Sequence, residues 1–277
     1  MEKRCPKPGY RMPSAKHKII RHRADWHSLR RLSTLLLACL CTAGVPVAAQ
    51  QESAAGTGKP GLKPYSTVYK TTARGLSIKL RRDLTVDREG HCRLTSEGSL
   101  LVVGLSEVSR FSLREGQVEP HSYIYRGTGL ISRRREVHFT PGSSVIRSLY
   151  KDEWYALPDV GHTLDRMSQQ EQMRLNLLGQ DSAPKEMLFT VADGRKVKDY
   201  TLALIGQEQL QTPMGEVSTL LYQRQRDTDE RLSQLWVAPK WDYLVVKTLH
   251  IEEGSTVEAN LISAEIDGVP VSEYAAG

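Results

Sequence analysis

The chain has 277 residues, 39% apolar, 25% charged and only 6% aromatic, with 21 Gly and 13 Pro. That length suits one large or two small domains, and the mixture excludes a disordered, collagenous or coiled-coil chain. The formal charge of +6 sits at one end: ten Lys/Arg face only Glu2 and Asp25 in the first 49 residues, leaving 28 basic and 30 acidic groups beyond them. A near-neutral body of this kind argues against a nucleic-acid partner.

Residues 1–49 read as a secretory signal peptide. Arg30-Arg31 opens an apolar run from Leu32 to Leu40, Gly44 and Pro46 break it, and Val47-Ala48-Ala49 supplies small side chains for cleavage after Ala49. The run falls short of the ~20 residues a spanning helix needs, so no transmembrane span is expected in the mature chain. Its basic part is long, and a start at Met12 is an alternative. Leu29 and Ser33 depart from a twin-arginine pattern, which leaves the Sec route and a periplasmic destination. Leu36-Leu37-Ala38-Cys39 resembles a lipobox, and anchoring through an acylated Cys39 is the competing reading. Cys5, Cys39 and Cys41 all fall in the leader, so a mature chain keeps Cys92 alone, a small buried hydrophobe on a strand.

Residues 50–64, rich in Gly, Ser and Ala, read as a flexible linker. From Tyr65 onward the signal is period-two alternation punctuated by Gly turns. Ile78, Leu80, Leu84 and Val86 share one face against Lys79, Arg81 and Asp83, and Arg82 interrupts the inward set. About a dozen strands are expected, near 65–73, 76–87, 91–102, 105–114, 117–126, 131–139, 144–150, 186–192, 195–205, 216–226, 231–237, 243–251 and 255–266. The sharpest hairpin signal is Asp193-Gly194 between two alternating runs. One segment differs: Thr163–Gly179 carries helix formers, a polar cap and a terminal Gly, with Leu164, Met167, Glu171, Leu175 and Leu178 on one face. The expected fold is all-β with one main helix: a strongly curved antiparallel sheet or open β-barrel, packed around or capped by the helix. It forms a single domain over 65–269, with 270–277 as a C-terminal tail.

Several short motifs occur in order along this body: Gly116-Gln117-Val118-Glu119-Pro120 with Tyr123, Asp165-Arg166-Met167-Ser168, Val191-Ala192-Asp193-Gly194, Thr212-Pro213-Met214-Gly215 and Leu235-Trp236-Val237-Ala238-Pro239. Together, over 65–266, they resemble the exported bacterial family known as domain of unknown function 3108. The resemblance implies an exported envelope protein with a curved sheet or open barrel around a helix. That family has no agreed activity, so no catalytic residue carries over. The motif positions look structural: a turn at Pro213-Met214-Gly215 and a core anchor at Trp236.

Signatures of catalysis are missing from residues 50–277: no Gly-x-Ser-x-Gly elbow, His-Glu-x-x-His helix, Walker loop or Cys-x-x-Cys occurs. No catalytic residue, metal site or cofactor is therefore assigned. Asp152, Glu153, Asp159, His162 and Asp165 cluster around Trp154-Tyr155, but their spacing matches no ligand pattern and capping explains them. Arg133, Arg134 and Arg135 are the candidate contact for anionic envelope material, since guanidinium forks fit phosphate; a solvated strand edge is the alternative. Trp154, Tyr155, Trp236 and Tyr222 are the candidate ligand-binding aromatics, although such residues more often fill a sheet core. The functional expectation is a non-enzymatic envelope protein whose curved sheet binds a lipid or another apolar or amphiphilic molecule. A scaffold docking another envelope protein, and a hydrolase of envelope polymers using the 152–165 group, are the alternatives.

Overall fold

The structure is a computed structural model in which residues 61–73, 76–100, 103–129, 132–225 and 231–275 are described. The expected leader and linker residues up to 60 lie outside them. Among the described residues the chain forms fifteen strands and one α-helix. Eight strands come first: β1 (Tyr65–Ala73), β2 (Leu76–Val86), β3 (His91–Leu100), β4 (Val103–Arg114), β5 (Gln117–Thr128), β6 (Arg133–His138), β7 (Val145–Tyr150) and β8 (Glu153–Pro158). The helix α1 (Ser168–Leu178) follows. Then come β9 (Glu186–Asp193), β10 (Lys196–Thr212), β11 (Gly215–Arg224), β12 (Arg231–Ala238), β13 (Leu244–Glu252), β14 (Ser255–Ile266) and the short β15 (Val269–Pro270).

All pairings between these strands are antiparallel, and their order is β8-β7-β6-β5-β4-β3-β2-β1-β14-β13-β12-β11-β10-β9. The chain thus meanders outward through β8, crosses the interior as α1, and meanders back until β14 pairs with β1. Period-two alternation dictates this: each strand has one apolar face to bury and a neighbour one tight turn away. Irregularities at Val68/Tyr69, Arg110/Phe111, Leu204/Gly206 and Trp236/Val237 bend the strands and curl the sheet into a nearly closed barrel.

The seam lies between β8 and β9. There Leu164 bridges in parallel to Val191: Leu164 N–H donates to the Thr190 carbonyl at 2.8 Å, and Ala192 N–H donates to the Leu164 carbonyl at 2.9 Å. Ser148 Oγ donates to the Gly194 carbonyl at 2.6 Å, tying β7 to the β9–β10 turn. A ring of this width cannot be filled by side chains alone, and α1 supplies the missing core.

Several boundaries differ from the sequence reading, each for a local reason. Strand β8 was not expected because its turn, Lys151-Asp152, contains no Gly; both residues nonetheless take positive φ (51° and 64°), as a two-residue hairpin with the right twist requires. In the β9–β10 hairpin, Asp193 pairs with Lys196, so the loop is Gly194-Arg195 rather than Asp193-Gly194, with Gly194 at φ 63° in the first loop position. Strand β10 runs on to Thr212 because the irregularity at Gly206 resets its pairing with β11. The helix starts at Ser168, since Leu164 is committed to the seam. Asp165 caps it, accepting from Met167 N–H at 2.8 Å and Ser168 N–H at 3.0 Å. The domain also exceeds its expected limits. Leu62 lies within the expected linker and Val271 and Tyr274 within the expected tail, yet all three are buried in the core.

Candidate functional site

Helix α1 is not amphipathic in the expected sense: Ser168, Glu171, Met173, Arg174, Leu175 and Leu177 are buried around most of its circumference. One flank faces β1 and β2. Here Arg82, the residue that interrupts the inward set of β2, reaches the interior and donates through Nε to Tyr65 Oη at 3.1 Å and through Nη2 to Glu171 at 3.3 Å. Tyr65 donates to Glu171 at 2.7 Å, and burial pushes its phenol up, keeping the proton available. Arg174 donates to the other Glu171 oxygen at 2.8 Å, to the Asp242 carbonyl at 3.1 Å, and stacks over Tyr65. Buried charges persist only when paired in this way.

The neighbouring flank, through Arg166, Gln169, Gln170 and Met173, faces an open cavity of about 410 Å³ lined by β9–β13. Its floor is apolar and buried: Met173 of α1, Val191, Leu202 and the ring of Tyr200. Its rim is cationic in balance: Arg166 at the helix start, Lys198 on β10 and Arg231 on β12 are exposed, with Asp193 3.9 Å from Lys198 and Glu252 beside Arg231. Between rim and floor the Arg224 guanidinium lies 3.4 Å above the Tyr200 ring centroid. Opposite it, Ser233 Oγ stands 2.7 Å from His250 Nδ1, His250 Nε2 stands 3.2 Å from Glu252, and Arg231 Nε donates to Glu252 at 2.9 Å. The alternation of β9–β13 places these groups inward, since Ser233 pairs with His250 and Leu202 with Arg224.

The candidate aromatics are not brought together. Tyr222 is fully buried beside the cavity wall, its hydroxyl donating to the Pro184 carbonyl at 2.9 Å, and burial pushes its phenol up to about 12. Trp236, one residue from the wall residue Leu235, pairs with Leu221 and so points to the opposite face of the sheet from Tyr222. It is buried there, not in the main core, and donates from Nε1 to Glu208 at 2.8 Å with Lys247 over its ring. Trp154 and Tyr155 lie on β8, at the seam, and alternate between its two faces. Trp154 remains 47% exposed.

Arg133, Arg134 and Arg135 are split by the same alternation. Arg134 points outward and donates to the buried Glu136, whereas Arg135 lies over the Tyr150 ring on the inner face. The acidic group does not converge either. Asp152 is in a turn, Asp159 accepts from Gly161 N–H, and His162 is exposed. Asp165 is fully buried as the helix cap, where burial raises its carboxyl pKa against the pull of its hydrogen bonds and Ser109 donates to it at 2.7 Å. Cys92 is buried, and burial pushes its thiol up to about 12. Among the described residues, Asp87, Glu89 and His91 are the group with metal-like proximity. All three are exposed, and Asp87 is held below the usual carboxylate range by the backbone amides of His91 and Glu89 in its own turn.

The cavity groups Arg166, Lys198, Arg224 and Arg231 escaped the sequence reading because they are scattered over 66 positions of the chain. The one available signal was Ser233 facing His250 and Thr248 facing Leu235, inward positions of adjacent strands of which three carry polar side chains.

Among the described residues no helix is long and apolar enough to cross a membrane. No curated protein sequence matches the chain. Several solved structures are similar to it, including the following two. One is a β-barrel-like protein of domain of unknown function DUF1849 from Brucella abortus, 9% identical, with a TM-score of 0.49 over 74% of this chain and 98% of its own. The other is a lipoprotein candidate from Parabacteroides distasonis, 13% identical, with a TM-score of 0.31 over 74% of this chain and 97% of its own. The family described as protein of unknown function (DUF3108) matches residues 82–259, more than half of the sequence. The ordered motifs, the fold and this match agree, and the chain belongs to the DUF3108 family.

Proposed function

We propose that the protein is an exported, non-catalytic binding protein of the periplasm whose cavity beside α1 holds an anionic amphiphile. The observation that carries this reading is the pairing of an apolar floor (Met173, Val191, Leu202) with a cationic rim (Arg166, Lys198, Arg231) in one space of about 410 Å³. That volume lies within the range of small-molecule sites, which are mostly apolar with a few polar groups fixing orientation. An acyl or aryl portion packs on the floor, and a carboxylate or phosphate meets the guanidinium groups. Export rests on the leader, and release into the periplasm rests on cleavage after Ala49 rather than acylation of Cys39.

To test it, the chain is expressed with its own leader, recovered from the periplasmic fraction and examined by native mass spectrometry. A bound anionic amphiphile in one-to-one ratio is the expected result, with Gln50 at the N-terminus. A ligand-free mass, together with no uptake of added fatty acid or lysophospholipid, refutes the binding role.

A second reading, hydrolysis, draws on the Ser233–His250–Glu252 series, which places a hydroxyl, an imidazole and a carboxylate in hydrogen-bonding sequence along the cavity wall. Cross-strand serine–histidine contacts also arise in ordinary sheets. Labelling of Ser233 by a fluorophosphonate probe, abolished in His250→Ala, would favour it; no labelling removes it.

A further inference from the structure

We infer that the outer face of β3–β8 docks on the phosphate headgroups of an anionic lipid surface. Register, not sequence proximity, assembles this face. Arg93 pairs with Arg110, Arg110 with Ser122, Ser122 with His138, and His138 with Arg147, so one lateral row across five strands presents three arginines and an imidazole. Four inter-strand spacings make that row about 19 Å wide. Four residues along β5 from Ser122, and on the same face, Arg126 stands directly opposite Arg134. All five arginines are exposed. The opposite faces of these strands carry core residues such as Leu94, Tyr123 and Val137, which fixes the arginine side as outward.

The charges on this face are not balanced from within. Arg134 is matched by Glu136, and at the flank Arg81 is matched by Asp83. Among the described residues, Arg93, Arg110 and Arg126 form no ion pair; the acids on the face are Glu136, held by Arg134 and His138, Glu119, held by Arg114, and Glu97, opposite Arg81, so the cations outnumber them. Like charges directly opposite on neighbouring strands destabilise a sheet, and this face holds two such pairs, Arg93/Arg110 and Arg126/Arg134. A layer of phosphates over the face turns that repulsion into attraction.

Trp154 selects a lipid surface over a soluble polyanion. It sits at the margin of the arginine row, 47% exposed, with the Arg147 guanidinium 4.8 Å from its ring centroid and the His138 ring at 5.8 Å. An indole held open beside cations is the combination that settles at headgroup level, ring toward the acyl chains and charges toward phosphate. The face lies on the other side of the sheet from the cavity and does not depend on the cavity being a binding site.

The test is co-sedimentation of the full chain with vesicles of phosphatidylglycerol and phosphatidylcholine in equal parts, against phosphatidylcholine alone. Each arginine near an anionic leaflet contributes about fivefold in affinity. The quadruple variant Arg93→Gln/Arg110→Gln/Arg126→Gln/Arg147→Gln is therefore expected to lose more than about 100-fold, and Trp154→Ala several-fold. A control with the same charge change elsewhere, Lys70→Gln/Arg88→Gln/Lys196→Gln/Lys240→Gln, is expected to stay within a few-fold of wild type. The leader is common to all variants, so differences report the sheet face. The quadruple variant should also melt no lower than wild type, because its repulsive pairs are gone; should it fail to fold, Arg110→Gln/Arg126→Gln provides the same comparison with about a 25-fold loss. Equal loss in the control, no preference for phosphatidylglycerol, or capture of the protein by inorganic polyphosphate without vesicle binding would overturn the inference.

Discussion

The two flanks of α1 solve the problem of an interior too wide for side chains in different ways. Toward β1 and β2, Arg82, Tyr65 and Arg174 converge on the single carboxylate of Glu171. Toward β9–β13, cations stand at the rim of a cavity of about 410 Å³ over an apolar floor. The packed flank holds the helix in place. The hollow flank is lined by four cations and two carboxylates, so an anion from outside can meet the excess. A buried polar cluster whose charges are internally satisfied is a device of the fold, whereas a cationic rim over an apolar hollow is a place for a ligand.

The largest expected effect is on the packed flank. Glu171→Ala leaves Arg82 and Arg174 buried without their carboxylate and should cost about 3–5 kcal/mol in urea unfolding. A cost below about 1 kcal/mol would mean that the two flanks do not differ as described. Next comes the seam that closes the barrel. Gly194 sits at φ 63°, and a Cβ there would meet the Tyr150 ring at 3.1 Å, so Gly194→Ala should lower stability by about 1–2 kcal/mol.

The comparison sharpens at Arg224. Its stack on Tyr200 is worth about 1 kcal/mol, so Arg224→Gln should lower the melting midpoint by only about 2–4 °C yet weaken uptake of an anionic amphiphile by about tenfold or more. Equal affinity in wild type and variant would remove Arg224 from the binding role. The smallest effect is at Glu136, on the outer face. Its carboxyl is held below its ordinary 4.5 because bonds from His138 and Arg134 outweigh the opposing cost of burial. A depressed carboxyl contributes stability that is present above the unfolded value and is lost as pH falls through the folded one. Wild type should therefore lose more stability than Glu136→Gln as pH falls below about 4.5, checked by thermal melts across that range.

What the sequence makes legible follows from what is local. Alternation at Ile78, Leu80 and Leu84, and the Gly-containing turns, place most strands within a few residues. The β7–β8 hairpin was hidden because Lys151 and Asp152 take positive φ without Gly to announce it. Arg82 was visible as an interruption, but its partner Glu171 lies 89 residues away. The site was the least legible part. The run Arg133-Arg134-Arg135 looks like a patch in sequence and is divided by the pleat. Arg93, Arg110, Arg126 and Arg147 look unrelated and are gathered by register. Tyr222 and Trp236 were grouped by residue type, and the pairing of Tyr222 with Leu235 puts them on opposite faces.

The central claim is that the β9–β13 side of the interior is a binding space and not merely an imperfectly packed one. It is tested most directly by titrating the purified protein with an anionic fluorescent amphiphile, in wild type and in Leu235→Trp, which fills the cavity from its wall. Saturable one-to-one binding, lost in Leu235→Trp while the melting midpoint holds or rises, is the predicted result. Binding that is absent in wild type, or unchanged in the filled variant, would contradict it.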